Sequence, residues 1–253
     1  MSAVNDLLIR DYLKKLKLPA IARHYQDFAR QATDHNRSYE DYLAALLEQE
    51  VISREESTRR NRISRACLPY PKTLEEFDFS AIPSLNKQKV LHLSHCDFVK
   101  RQENIVMIGN SGTGKTHLAI ALALCACRQG YRVRYWNAPG LVTHLQLAQQ
   151  ENRLLQMEKQ WLKQDLVVVD EVGYIPYSPE CARLFFRFMA SRYERGSCIV
   201  TSNLEFAQWS SVFGEEKLTE ALLDRLTHRC HILLMNGESY RFRQSMKRQE
   251  KEG

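Results

Sequence analysis

Little in this chain ties it to a membrane, a cysteine-held metal or a dinucleotide fold. No apolar run approaches the roughly 20 residues a bilayer-spanning helix needs, and the polar start has no signal-peptide core. A cytoplasmic protein is therefore expected. The seven cysteines include no C-x-x-C pair. Cys125 and Cys127 stand two apart on a helical stretch, so they face different ways and make a poor metal pair. Reduced, packing thiols are the better reading. The pattern G-x-G-x-x-G is also missing, which disfavours a dinucleotide-binding fold. No internal repeat or low-complexity tract interrupts the 253 residues, a length that accommodates one α/β core plus a small extra domain. With 44% hydrophobic and 26% charged residues the composition is that of an ordinary globular protein. A net charge of +6 and a pI near 8.9 permit an anionic partner without demonstrating one.

What is present is more specific. Gly109, Asn110, Ser111, Gly112, Thr113, Gly114, Lys115 and Thr116 complete the pattern G-x-x-x-x-G-K-[ST]. They follow the apolar run Ile105–Ile108 and precede the helix-like stretch Leu118–Cys127. Strand, glycine loop and helix in that order are the setting in which this motif binds a nucleotide. Glycines let backbone N–H groups turn inward around phosphate, and the helix N-terminus adds partial positive charge. Lys115 is placed to reach the β- and γ-phosphates, and the Thr116 hydroxyl to ligate Mg²⁺. ATP or GTP with Mg²⁺ is the expected ligand.

Residues 1–67 read as a small all-helical domain. Leu7, Leu8, Tyr12 and Leu16 recur at helical spacing, and Pro19 suits the first turn of a second helix carrying Ile21, Tyr25 and Phe28. Ser38 followed by Asp41 resembles an N-cap opening a long amphipathic helix. That helix ends in Arg54, Arg59, Arg60, Arg62 and Arg65, opposed only by Glu55 and Glu56. Leu68-Pro-Tyr-Pro71 begins a linker, taken as 68–80. From there, 81–253, short β-like runs alternate with helices, as in a parallel sheet between helical layers. The expected strands are Ile105–Ile108, Arg132–Trp136, Leu166–Asp170, Cys198–Ser202 and Ile232–Met235. A second basic cluster, Arg241, Arg243, Lys247, Arg248 and Lys251, closes the chain. By themselves both clusters read as solvated faces.

Leu166-Val-Val-Val-Asp170-Glu171 is a buried-strand signature ending in two carboxylates. At the strand tip beside the phosphate loop, Asp170 is placed for the Mg²⁺ shell, and Glu171 to orient or deprotonate the attacking water. A P-loop kinase, acting as a monomer, has less use for such a carboxylate, so the pair favours hydrolysis and argues against a scaffold with negligible turnover. Cys198-Ile-Val-Thr-Ser-Asn203 brings Asn203 to the same crevice, where it can position that water. Arg225, in Leu222-Leu-Asp-Arg225-Leu, has the planar charge that suits transition-state oxygens, although a lone helical arginine is usually a surface residue.

Together these elements resemble the AAA+ ATPases, with Gly109–Thr116 as Walker A, Val167–Glu171 as Walker B, Asn203 as sensor 1 and Arg225 as the arginine finger. More narrowly the chain is similar to the IstB/DnaC branch of transposition helpers and helicase loaders. The signs are Thr73-Leu-Glu-Glu-Phe77-Asp-Phe79, Gly-Thr-Gly-Lys-Thr-His-Leu-Ala, Val-Asp-Glu-Val-Gly, Leu-Leu-Asp-Arg-Leu and Glu-Ser-Tyr-Arg241, covering 70–245 well. The resemblance implies a five-stranded AAA+ core, with Phe77 and Phe79 near adenine and Arg241 as sensor 2. It also implies that Arg225 reaches the ATP of a neighbouring subunit in a ring or spiral. The stretch after Arg225 is too short for the usual helical lid, which leaves Arg241 without its usual setting. The expected function is an ATP-dependent helper that oligomerises on duplex DNA and recruits or activates a transposase. A DnaC-like loader of a replicative helicase is the alternative. The repetition across subunits that the resemblance implies favours a DNA-binding role for Arg54–Arg65, since phosphate contacts add. Arg153, Lys159 and Lys163, in the polar helical insert Leu141–Lys163, are a second candidate DNA surface, for which a solvated helix face is the stronger reading.

Overall fold

The computed structural model describes residues 3–240 together with Phe242, Met246 and Gln249. The chain divides into two compact units, Met1–Asn61 and Arg62–Gly253.

The first unit is helical: α1 (Ala3–Lys15), α2 (Pro19–Asp34) and the larger part of α3 (Tyr39–Ala66). Pro19 opens α2, where its missing N–H lacks an intrahelical partner anyway. The Ser38 hydroxyl accepts from the Asp41 amide at 3.1 Å and donates to the Asp41 carboxylate at 2.8 Å, starting α3. Ile21, Tyr25 and Leu46 form the core, with Ile9, Leu13, Leu18, Phe28 and Tyr42 packed around them. Leu7, Leu8, Tyr12 and Leu16, whose spacing marks α1 as a helix, remain exposed, as do Tyr39, Leu43, Leu47 and Val51 on α3. Periodicity identifies a helix, but which stripe meets a neighbour is decided by packing; on α1, Ile9 and Leu13 take that place.

The second unit holds α4 (Lys87–Leu93), α5 (Asp97–Lys100), β1 (Asn104–Ile108), α6 (Lys115–Arg128), β2 (Val133–Asn137) and α7 (Ala138–Gln150). It continues through α8 (Leu154–Trp161), β3 (Leu166–Val172), α9 (Pro179–Arg192), β4 (Ser197–Ser202), α10 (Ser210–Phe213), α11 (Glu216–Thr227) and β5 (Cys230–Leu234). The five strands lie parallel in the order β2-β3-β4-β1-β5. Successive strand residues point to opposite faces. Val106, Ile108, Val167, Val169 and Val200 therefore enter a core with α7, α9 and α11, while Ile105, Met107, Val168, Ile199 and Leu233 enter another with α4 and α6. Burial on both faces explains why these strands read as continuous apolar runs rather than alternating ones.

The strand boundaries fall within two residues of those expected. Leu141–Lys163, expected as a polar stretch, instead sends Leu141, Val142, Leu145, Met157 and Trp161 into the core. Its polar residues form only the outer stripe of an amphipathic pair. Between β1 and its neighbour β4 the chain order breaks, because β1 leads through α6 to the far edge strand β2. In open parallel sheets ligands bind at such a switch point, beyond the C-terminal ends of the strands. The phosphate-loop motif follows β1 at that end.

Candidate nucleotide-binding and hydrolysis site

Residues 109–114 form the loop that joins β1 to α6. A Cβ on Gly109 would meet the Met235 carbonyl oxygen at 2.1 Å, so glycine there lets the segment after β5 lie against the loop. Gly114 caps α6 with φ of +86°, a left-handed conformation that L side chains rarely adopt. A side chain at that position would also strike the Phe77 ring at 2.9 Å. The Lys115 ammonium donates to the carbonyls of Gly109 and Asn110 at 2.6 and 2.7 Å, folded back over the loop it would serve.

Beside this loop the tips of β3 and β4 converge. Asp170 is 2% exposed. Its Oδ1 accepts from Thr116 Oγ1 at 3.0 Å and from the Thr201 hydroxyl, and its Oδ2 accepts from the Tyr135 hydroxyl at 2.7 Å. Burial and the Asp170 charge push the Tyr135 phenol well above its ordinary value, keeping it a donor. Immediately after Asp170 the β3–β4 register shifts, and Glu171 takes φ of +63°. That bulge turns consecutive carboxylates apart: Asp170 goes inward, and Glu171 stays exposed at the cleft wall. The Glu171 amide donates to Thr201 Oγ1 at 2.9 Å.

A cleft of about 290 Å³ opens over these groups, at the small end of ligand-sized pockets. Ser111 through Thr116, Phe77, Glu171, Thr201 and Asn203 line it. Phe79 stands behind Phe77, ring centroids 4.9 Å apart and edge to face. Loop amides, Lys115 and the start of α6 offer the donors a polyphosphate requires. Thr116 and Asp170 supply adjacent hard oxygen atoms, the donor set of a Mg²⁺ ion that also binds phosphate. The residues present thus fit both ATP and Mg²⁺.

Arg225 is elsewhere. It shares a shallow cleft with Gln102 and Asn104 at the foot of β1, and the Asn104 side chain donates to the Leu226 carbonyl at 3.0 Å. The phosphate loop begins at the head of the same strand. At about 3.3 Å per residue, β1 separates foot from head by about 13 Å. The Arg225 guanidinium donates to the Ala221 carbonyl at 2.7 Å and lies 5.2 Å over the Phe186 ring. Arg241 lies outside the described residues, and so do the other members of the C-terminal basic cluster and much of the stretch in which a lid was in question.

The basic residues expected to meet DNA differ in their freedom. Arg54 is tied to Glu50 at 3.0 Å and to the Lys17 carbonyl at 2.6 Å. Arg59, Arg60 and Arg65 are exposed, and Arg62 is half-buried near Gly130. Arg153 pairs with Glu151, while Lys159 and Lys163 are exposed. Sequence reasoning missed Tyr135 and Thr201. The signal for Thr201 was present as the polar end of the β4 run, but its pairing with Asp170 requires β3 and β4 to be neighbours. Nothing local singled out Tyr135.

The profile of the family described as IstB-like ATP binding protein matches residues 11–248. The chain is 40% identical over 235 residues to the insertion sequence IS21 putative ATP-binding protein of Pseudomonas aeruginosa, covering 93% of this chain and 89% of that protein. It is 37% identical over 244 residues to the IS5376 putative ATP-binding protein of Geobacillus stearothermophilus, covering 96% and 97%. Among solved structures, AMPPCP-bound DnaA from Aquifex aeolicus superposes with a TM-score of 0.57 at 21% identity, covering 74% of this chain and 57% of that one. The DnaC helicase loader gives 0.51 at 21%, covering 69% and 98%. These structures share the AAA+ P-loop fold.

Proposed function

The chain belongs to the IstB-like ATP-binding protein family, and from that premise we propose that it is an ATP-hydrolysing helper of insertion-sequence transposition that assembles head to tail on duplex DNA and recruits or activates a transposase. The observation that carries this reading is a division of labour. The phosphate loop, Glu171 and Asn203 share one cleft, while Arg225 sits at the opposite end of the sheet. A cation about 13 Å down the strand cannot serve its own nucleotide. It can serve the nucleotide of an adjacent copy.

In this mechanism the loop amides and Lys115 bind the β- and γ-phosphates. Thr116 and Asp170 would hold Mg²⁺, which when bound neutralises charge on the phosphate oxygens. Phe77 walls the cleft where a base would lie, with Phe79 behind it. Glu171 takes the proton of the attacking water, and Asn203 orients that water from the tip of β4. Arg225 of the next copy meets charge developing on the γ-phosphate. ATP thereby joins neighbouring copies, and hydrolysis loosens the joint. Arg59, Arg60 and Arg65, repeated along the assembly, supply phosphate contacts whose sum makes DNA binding strong and salt-sensitive.

The insertion-sequence relatives, matched over nearly their whole length, favour a transposase as partner over a replicative helicase. The test is imaging of the purified protein with ATP and duplex DNA. Ordered multi-copy particles on DNA, with a nucleotide at each joint, are expected. Single copies that never associate, or no DNA affinity at low salt with ATP, refute the reading.

A further inference from the structure

We propose that Thr201 and Tyr135 are positioning residues that hold the two acidic side chains of the site in separate roles, Tyr135 serving the metal-binding carboxylate alone and Thr201 serving both. This inference rests on the hydrolytic reading above. A threonine hydroxyl has one proton and two lone pairs. In Thr201 the proton goes to Asp170 Oδ1, and a lone pair accepts the Glu171 amide at 2.9 Å. Thr201 is 1% exposed, so no solvent replaces either bond. One hydroxyl on β4 therefore sets the carboxylate of one residue and the main chain of the next.

The Glu171 backbone needs such a holder. Its φ of +63° is sparsely populated for a residue bearing a side chain, and the bulge at this point removes regular ladder pairing. The Thr201 bond replaces that pairing and keeps Glu171 directed at the cleft. Asp170 has a different problem. With Mg²⁺ bound, the Thr116 oxygen would serve the metal instead of Asp170 Oδ1. The lateral holders that remain are Thr201 on Oδ1 and Tyr135 on Oδ2, the latter at 2.7 Å from the edge strand β2. Two anchors on separate oxygens fix both the tilt and the rotation of the carboxylate. Groups of this kind behind metal ligands change metal affinity or activity by roughly 10–100-fold.

The two residues should therefore fail differently. Tyr135→Phe removes only the Oδ2 anchor. It should raise the Mg²⁺ concentration for half-maximal binding of a fluorescent ATP analogue by about tenfold, leave binding in EDTA unchanged, and keep kcat at saturating Mg²⁺ within about threefold. Thr201→Val has nearly the same shape but loses both bonds. It should show the same Mg²⁺ shift and, in addition, a kcat lowered roughly 10–100-fold that saturating Mg²⁺ does not restore. Thr201→Ser keeps the hydroxyl and should recover most of the rate. Glu171→Gln serves as the reference for the reading beneath the proposal. If Glu171→Gln is inactive while Thr201→Val hydrolyses ATP at the parent rate with the parent Mg²⁺ requirement, the positioning role is overturned and the hydrolytic site stands. Should Glu171→Gln itself turn over ATP normally, the site reading fails first. Equal loss of kcat in Tyr135→Phe and Thr201→Val also overturns the division of roles. If Thr201→Val does not fold, Tyr135→Phe and Thr201→Ser decide the matter: an unshifted Mg²⁺ requirement in the first, or kcat lost in the second, overturns it.

Discussion

The placement of Arg225 allows a quantitative test by mixing two inactive variants. Arg225→Ala keeps its own phosphate loop, Glu171 and Asn203, so it should bind ATP normally. Loss of an arginine at the transferring phosphate should lower its turnover on the order of a thousandfold. Glu171→Gln keeps Arg225 and lacks only the carboxylate proposed to handle water. In a head-to-tail assembly each joint takes its cleft from one copy and its arginine from the next. A joint works when the cleft belongs to an Arg225→Ala copy and the arginine to a Glu171→Gln copy. With random assembly from equal amounts, each condition holds in half the joints, so about one quarter of the parent rate should return. The assay is steady-state phosphate release at fixed total protein across mixing ratios, which should trace a maximum at equal amounts. Two outcomes refute the reasoning. In the first, Arg225→Ala hydrolyses ATP at the parent rate, which would make the arginine irrelevant. Alternatively, both variants are inactive and the mixture stays inactive, which would mean that no joint shares its parts. A single copy that completes its own site would also keep its specific activity on dilution, whereas a shared site loses it.

Three further outcomes test the joint, the first unit and the packing of the second. Glu171→Gln should retain ATP and hold the DNA-bound assembly closed, seen as a dissociation rate from labelled duplex at least tenfold slower than the parent's; equal release rates would show that hydrolysis does not open the joint. Glu50, buried in the first unit, accepts from the Ala20 and Ile21 amides at 2.9 and 3.2 Å and from Arg54 at 3.0 Å. Burial pushes its carboxyl up, but Arg54 and the two amides outweigh burial and hold it below the ordinary 4.5. Its stabilisation is thus present above pH 4.5 and is lost as pH falls through the lower folded value. Glu50→Gln should cost about 1–2 kcal/mol at neutral pH, with faster hydrogen exchange at the start of α2, and the difference should shrink in acid; unchanged exchange would refute the cap. Cys67 is exposed, whereas burial pushes Cys96 to about 12 and Cys127 to about 11. A maleimide or disulfide reagent at pH 8 should modify Cys67 first by peptide mapping, and equal labelling of Cys96 would refute the packing.

Much of the α/β unit was legible because its signals are local. A glycine loop between an apolar run and a helix carries its meaning within a dozen residues, as the loop from Gly109 to Thr116 does. Val-Val-Val-Asp170-Glu171 is similarly self-contained: burial on both faces enforces the apolar run, and the tip must turn polar where it leaves the sheet. The first unit was legible only as helices. Leu7 and Leu8 signal a helix as clearly as Ile9 and Leu13, and only the neighbouring helix decides which pair it covers.

By itself, then, the order of residues determined the phosphate loop, the paired carboxylates, the parallel α/β architecture and the capped helices, because each follows from chemistry spanning a few adjacent positions. Tertiary structure alone decided which strands are neighbours, and with that which side chains meet. Tyr135 and Thr201 reach one carboxylate from strands on either side of it, and Arg225 is held at the far end of the sheet from the loop of its own chain. Such meetings join residues tens of positions apart, and hydrogen bonds a few ångströms long exist only after the chain has closed those loops.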